Sequence, residues 1–206
     1  MTMTRAAKPR SAKQRSAKRP SALASLKRRA AADSASQIVE FALSLPLLVL
    51  FVVGIFDFSG ALSLKQKLMN AAREGARVAA SDPANDLNAT VPVSVSDANQ
   101  VVANYLLSEK INTCGLESAT PALASGLTWT TTASGSGCPG TGITLSVNRG
   151  CITTFTANTN TVNAVGTCVT LTYPYKWQYT AVTGLLGLSF IGPATITTSA
   201  AAFNEN

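Results

Sequence analysis

The chain contains no histidine among its 206 residues. That absence excludes every His-dependent triad, acid/base pair and metal site. Charged residues are few, 13% of the chain, against about 25% in ordinary soluble domains. They are also unevenly placed. Ten of the 17 Lys and Arg residues lie between Arg5 and Arg29, a stretch without Asp or Glu, which leaves seven basic against ten acidic residues beyond it. The formal charge of +7 therefore describes a basic tail on a mildly acidic body. Cysteine is missing from the first 113 residues, and the four present (Cys114, Cys138, Cys151, Cys168) form no C-x-x-C pair. Without that spacing or a partner His, a zinc site is disfavoured, and an even number in an exported domain reads as two disulfides.

Catalytic signatures are equally scarce. After Thr113 only Glu117, Arg149, Lys176 and Glu205 carry charge, and neither G-x-S-x-G nor a P-loop is present. Gly135-Ser-Gly-Cys-Pro-Gly140 matches G-x-G-x-x-G in letters, but no helix opens across Cys138-Pro139 and no acidic residue stands about twenty further on, so it reads as a turn loop. The sequence thus predicts no enzyme, no cofactor, no metal and no small-molecule substrate.

Residues 1–32 are almost entirely Ala, Ser, Lys, Arg and Pro, a composition expected to be disordered. Such a tail can bind nucleic acid through phosphate contacts; beside a membrane span it instead holds its end in the cytoplasm. The apolar run directly after the tail favours the topological role and predicts no nucleic-acid partner. From Ile38 to Phe58 the only charges are Glu40 and Asp57. Those 21 residues span about 30 Å as a helix, the thickness of bilayer hydrocarbon. Pro46 would kink a helix but is tolerated in lipid. Basic residues precede the span and none comes closely after it until Lys65, so the N-terminus is expected inside and the C-terminus outside. A secretory signal peptide fits less well, because the apolar run is too long and no A-x-A site succeeds it.

The helical pattern continues. Leu64, Leu68, Ala72, Gly75 or Ala76 and Ala79 recur on one face, opposite Lys67, Asn70, Glu74 and Arg77, and Glu74 and Arg77 are spaced to pair. The span and this amphipathic segment predict a stalk of about 65 Å from Ser36 to Ala80, ended by Ser81-Asp82-Pro83. A short helix is expected near residues 97–110, capped by Ser96 or Asp97. Of the 88 residues from Thr113 to Ala200, 21 are Thr, a residue suited to half-buried strands. Ile143–Val147 and Val169–Tyr173 alternate with period two, Ala194–Ala200 more weakly, predicting a small antiparallel sheet with one wet face. Cys151 and Cys168 are placed to staple neighbouring strands, leaving Cys114 with Cys138, but three pairings remain open on sequence. Trp129, Trp177 and Tyr173-Pro-Tyr175 form either a recognition surface or, more commonly, buried sheet aromatics. The fold class is therefore α+β: a disordered basic leader (1–35), a transmembrane helix and stalk (36–80), and an exported β-rich, disulfide-stapled domain (81–206).

Glu40 is the oddity. A carboxylate facing lipid costs a few kcal/mol; in the headgroup zone it merely complements the helix N-terminus. Physics alone leaves both readings open.

Three separated blocks then carry a resemblance: Ser36-Gln-Ile-Val-Glu-Phe-Ala-Leu-Ser-Leu-Pro-Leu-Leu48, Gly54-Ile-Phe-Asp-Phe58 and Asn70-Ala-Ala-Arg-Glu-Gly-Ala-Arg77. Over Ala35 to Ala80 the chain resembles the TadE-like family of minor pilins, or pseudopilins. More weakly, Tyr173-Pro-Tyr175, Leu185-Leu-Gly187 and Thr195 to Asn206 look like the carboxyl end of such proteins. The resemblance implies a non-enzymatic, single-pass component of tight-adherence (Flp, type IV-related) pilus assembly in a bacterial cytoplasmic membrane, its C-terminal domain periplasmic or extracellular. It implies partnership with a prepilin peptidase, other pilins or pseudopilins, and the assembly platform. Cleavage would fall between Ala35 and Ser36, making Glu40 the fifth mature residue beside Phe41; the family favours Gly at the last leader position, where this chain has Ala35. Pro46, Asp57, Asn70, Arg73, Glu74, Gly75 and Arg77 are the other positions carried by the match. Such removal takes away ten Lys and Arg residues with Asp33 and leaves a mature charge of −2. The rival readings are an anchored surface-binding protein whose helix is only a tether, and a membrane-tethered DNA-binding protein acting through residues 5–29.

Overall fold

The computed structural model describes residues 22–157, 160–178, 184 and 194–205. The elements run α1 (Ala22–Ser81), α2 (Val93–Ser108), a single 3-10 turn at Leu116–Ser118, then β1 (Ala122–Ser125), β2 (Thr128–Ala133), β3 (Ile143–Ala157), β4 (Asn160–Pro174) and β5 (Thr195–Phe203). The chain divides into two units, residues 1–49 and 50–206.

In the first unit α1 begins at Ala22, so residues 22–35, expected to be disordered leader, are helical; residues 1–21 lie outside the described residues. The reason is compositional. Ala, Leu, Lys and Arg are the best helix formers, and extending an existing helix avoids the cost of nucleation. From Ser36 to Val49 every residue is exposed, Leu43 most among the large apolar side chains at 76%. Pro46 sits inside α1, where it removes one backbone donor. Ser44 Oγ donates to the Phe41 carbonyl at 3.2 Å nearby.

The second unit is α+β, with helices on one face of a five-stranded antiparallel meander ordered β1-β2-β3-β4-β5. Inward positions alternate: Trp129, Thr131 and Ala133 on β2, Ile143, Leu145 and Val147 on β3, Val169, Leu171 and Tyr173 on β4. They form one core with Leu68, Ala72, Ala76 and Ala79 of α1 and Val95, Val102 and Leu106 of α2. The amphipathic part of α1 is thus built into this unit as its core helix. The division between the two units falls inside α1, and the small residues on the apolar face of its C-terminal part are covered by the sheet.

Helix α2 starts at Val93, earlier than expected, with Pro92 rather than Ser96 or Asp97 at the N-cap. Pro92 makes no side-chain cap; Asp86 substitutes, accepting the Val93 N–H at 2.6 Å. The disulfides are Cys114–Cys138 and Cys151–Cys168. The second staples β3 to β4; the first ties the segment after α2 to the loop between β2 and β3. Each contributes about 3 kcal/mol by restricting the unfolded chain. Gly135 to Gly140 is a turn loop: Gly135 N–H donates to the Cys114 carbonyl at 2.6 Å, and Gly137 has φ 75°.

Candidate functional site: the anchor helix and its junction with the sheet

Ile38, Phe41, Leu43, Leu47 and Leu48 of α1 are each 59% or more exposed. Burying one such side chain is worth about 2 kcal/mol, so this surface requires a covering of lipid or other helices. Within Ser36–Ser81 an 18-residue window reaches a mean hydropathy of 2.5 with none of it buried, enough in length and composition to cross a membrane and suggesting a membrane anchor. Glu40 and Phe41 lie exposed on this helix, and Ser36 stands one turn before Glu40 on the same face. The Ala35–Ser36 bond itself is inside α1.

Of the remaining positions of the resemblance, Pro46 lies in the first unit and Asp57, Asn70, Arg73, Glu74, Gly75 and Arg77 in the second. Asp57 is 7% exposed. Its Oδ1 accepts the Gln178 N–H at 3.0 Å, and its carbonyl accepts the Tyr175 hydroxyl at 3.2 Å. This joins α1 to the segment after β4. Burial, with Asp57 beside it, pushes the Tyr175 phenol above its usual range. At Gly75 α1 packs closely against α2. A Cβ there would stand 2.7 Å from Val102 Cγ2 and 3.8 Å from Val169 Cγ1, so only a hydrogen fits. Arg77 donates to Glu74 Oε2 through Nη2 at 3.0 Å and Nε at 3.1 Å, the pair expected from spacing and a surface one. Asn70 and Arg73 are exposed. Lys67, expected only to face solvent, is half-buried and pairs with Glu109 at 3.0 Å.

Sequence reasoning missed a buried polar residue with several partners. Arg149 is 2% exposed. Its Nη1 donates to the Ala79 carbonyl, to Thr167 Oγ1 at 2.9 Å and to Asn204 Oδ1 at 3.5 Å; its Nη2 donates to the Asp82 carbonyl at 2.9 Å. A guanidinium thus closes the C-terminal turn of α1, satisfying carbonyls that a helix end leaves orphaned and opposing the negative end of its dipole. The register of β3 against β4 shifts between Asn148 and Cys151, a bulge that opens the ladder beside Arg149. Burial pulls the Arg149 pKa down, while Asp82 and Asp86 pull it up. Burial also raises the Asp82 carboxyl, reinforced by Asp97 and Asp86 and opposed by Arg149. The only signal in sequence was one Arg in an uncharged, Thr-rich strand region.

The aromatic residues split. Trp129 and Tyr173 are buried, Trp129 Nε1 donating to the Thr90 carbonyl at 3.1 Å and the Tyr173 hydroxyl to the Asn112 carbonyl at 3.0 Å. Tyr175 and Trp177 pack edge to face, centroids 5.0 Å apart, at intermediate exposure. Leu185 to Gly187 lie outside the described residues. Among the described residues no group of three or more His, Cys, Asp or Glu side chains is arranged to hold a metal ion.

Buried Asp57, glycine contact and terminal clamp describe a helix whose C-terminal part is the core of a small sheet domain and whose apolar stretch suggests a membrane anchor. The family model described as TadE-like protein matches residues 35–77, the stretch whose three blocks carried the resemblance. The match associates this segment with the Tad pilus system and its membrane. No curated protein and no solved structure matches the chain.

Proposed function

We propose that the chain is a non-enzymatic, pilin-like component of tight-adherence pilus assembly, processed between Ala35 and Ser36 and inserted with its N-terminus in the cytoplasm. The observation that carries this reading is the TadE-like match at residues 35–77, centred on an exposed apolar helix bearing Glu40. Its partners are the prepilin peptidase, other pilins or pseudopilins, and the assembly platform in the bacterial cytoplasmic membrane.

Chemistry links these parts. Because Ala35 and Ser36 are both helical, the peptidase acts on a locally unwound form of this segment. Hydrolysis removes the basic leader and creates an amine at Ser36, four residues before Glu40. In an assembled bundle the Glu40 carboxylate of one subunit accepts the amine of its neighbour, away from water, where opposite charges attract far more strongly than in solvent. Breaking a buried pair by removing one partner costs about 3–5 kcal/mol, a factor of roughly 10² to 4 × 10³ in association at 1.4 kcal/mol per tenfold. Glu40→Gln is isosteric and leaves the sheet domain untouched, so it is expected to abolish pilus production while membrane insertion and disulfide formation persist. Wild-type piliation with Glu40→Gln would refute the pairing. Loss of surface binding without loss of pili, on altering the sheet domain, would instead favour the tethered binding protein.

A further inference from the structure

The exposed apolar surface of α1 continues on either side of Asp57. Ile55, Phe56 and Phe58 are 68%, 66% and 59% exposed, and Leu62 is 45% exposed. Against this stretch lies an open groove of 360 Å³ lined by Phe58, Leu62, Lys65, Tyr175, Trp177 and Ile196, among others. Its height along α1 is fixed, because the Asp57 carboxylate accepts the Gln178 N–H and the Asp57 carbonyl accepts the Tyr175 hydroxyl. Lys65 lines the groove, and Lys176 stands exposed between the two aromatic residues. Among the described residues neither lysine is in an ion pair, whereas nearby Lys67 is held by Glu109.

Amphipathic rings and free ammonium groups, placed where a helix changes from continuously apolar to amphipathic, match what the headgroup zone of a bilayer selects. We propose that this groove seats the sheet domain on the membrane and is occupied by anionic phospholipid: Phe58, Leu62 and Trp177 meet the upper acyl chains, and Lys65 and Lys176 meet the headgroup phosphates. The proposal rests on the reading of α1 as a membrane anchor and is independent of any role in pili. Two observations select lipid as the occupant. The groove is continuous with apolar α1 surface that hydrocarbon must already cover, and its cationic rim complements anionic headgroups.

The test uses the full-length protein in vesicles of phosphatidylcholine and phosphatidylglycerol whose chains carry bromine either near the headgroup or near the chain end. Tryptophan fluorescence is expected to be quenched about two-fold more strongly by the shallow bromines, as interfacial aromatics require. Trp177→Phe is expected to abolish that quenching, because the remaining Trp129 is 1% exposed in the core. The Lys65→Gln/Lys176→Gln variant is expected to lower it to the level seen in vesicles without phosphatidylglycerol. Equal quenching with and without Trp177 overturns the proposal. So does quenching by aqueous iodide but not by bromolipid, which would make the groove water-filled. Shielding of Trp177 from both quenchers also overturns it, marking a second copy in the groove if shielding grows with the protein-to-lipid ratio and the chain's own residues if it does not. In each case a protein that still floats with the vesicles keeps its anchor; one that fails to float overturns anchor and groove together.

Discussion

Replacing Arg149 is the sharpest perturbation of the junction between α1 and the sheet. Arg149→Met keeps much of the side-chain volume but strips the Ala79 and Asp82 carbonyls of their guanidinium donors; Thr167 and Asn204 lose the guanidinium too but keep their mutual bond at 2.7 Å, and Asn204 Nδ2 still donates to the main-chain carbonyl at position 149 at 3.3 Å. Each buried acceptor left unpaired costs about 1–3 kcal/mol, partly offset by the desolvation that the charge no longer suffers. The expected net loss is about 3 kcal/mol. At about 2–4 °C per kcal/mol for a chain of this size, Tm falls by about 6–12 °C. Arg149→Lys keeps the charge but not the planar fork and is expected to fall between the two. Thermal unfolding of the detergent-solubilised protein, followed by circular dichroism, measures the shift. Hydrogen exchange should locate the faster opening in the last turn of α1 and the end of β5. A Tm within about 2 °C of wild type, or a more stable Met variant, would refute the clamp.

Two further outcomes rest on the same geometry. Gly75→Ala is expected to destabilise the protein by about 1–2 kcal/mol, since overpacking against Val102 exceeds the helix-propensity gain; combining it with Val102→Ala should recover part of the loss, and additive effects in this double-mutant cycle would contradict direct contact. Asp82 has a carboxyl raised above its ordinary 3.8, so the native state holds this proton more tightly than the unfolded state. Its contribution therefore declines as pH rises from 3.8 through the raised native value; Asp82→Asn should flatten that part of the stability curve and gain stability above it, and an unchanged pH profile of urea unfolding would refute the assignment.

The parts of this fold legible in sequence are those where chemistry and period coincide. The span shows because 21 residues carry only Glu40 and Asp57 as charges; the Glu74–Arg77 pair and the inner strands show because side-chain spacing is their cause. Strand β2 is hidden because its inward residues are Trp129, Thr131 and Ala133, so a buried Thr disguises the alternation. The helical start at Ala22 is hidden because low hydrophobicity is also the mark of disorder, although Ala and Leu favour helix. Helix α2 begins early because its cap is supplied by Asp86 from seven residues away. Arg149 and Asp57 illustrate a more general limit: each is defined by partners far along the chain, Ala79 and Asp82 for one, Tyr175 and Gln178 for the other. No local pattern encodes such pairings. The sparse charge of the composition does imply that few charges are buried, which makes those two residues conspicuous once their burial is known.

The most direct measurement of the central claim is intact mass combined with amino-terminal sequencing of the protein recovered from its native membrane. The account predicts a chain beginning at Ser36, shortened by the basic leader and bearing Glu40 as its fifth residue. A chain that still begins at Met1 or Thr2 would contradict it, leaving the helix as a plain anchor with no new amine for Glu40 to meet.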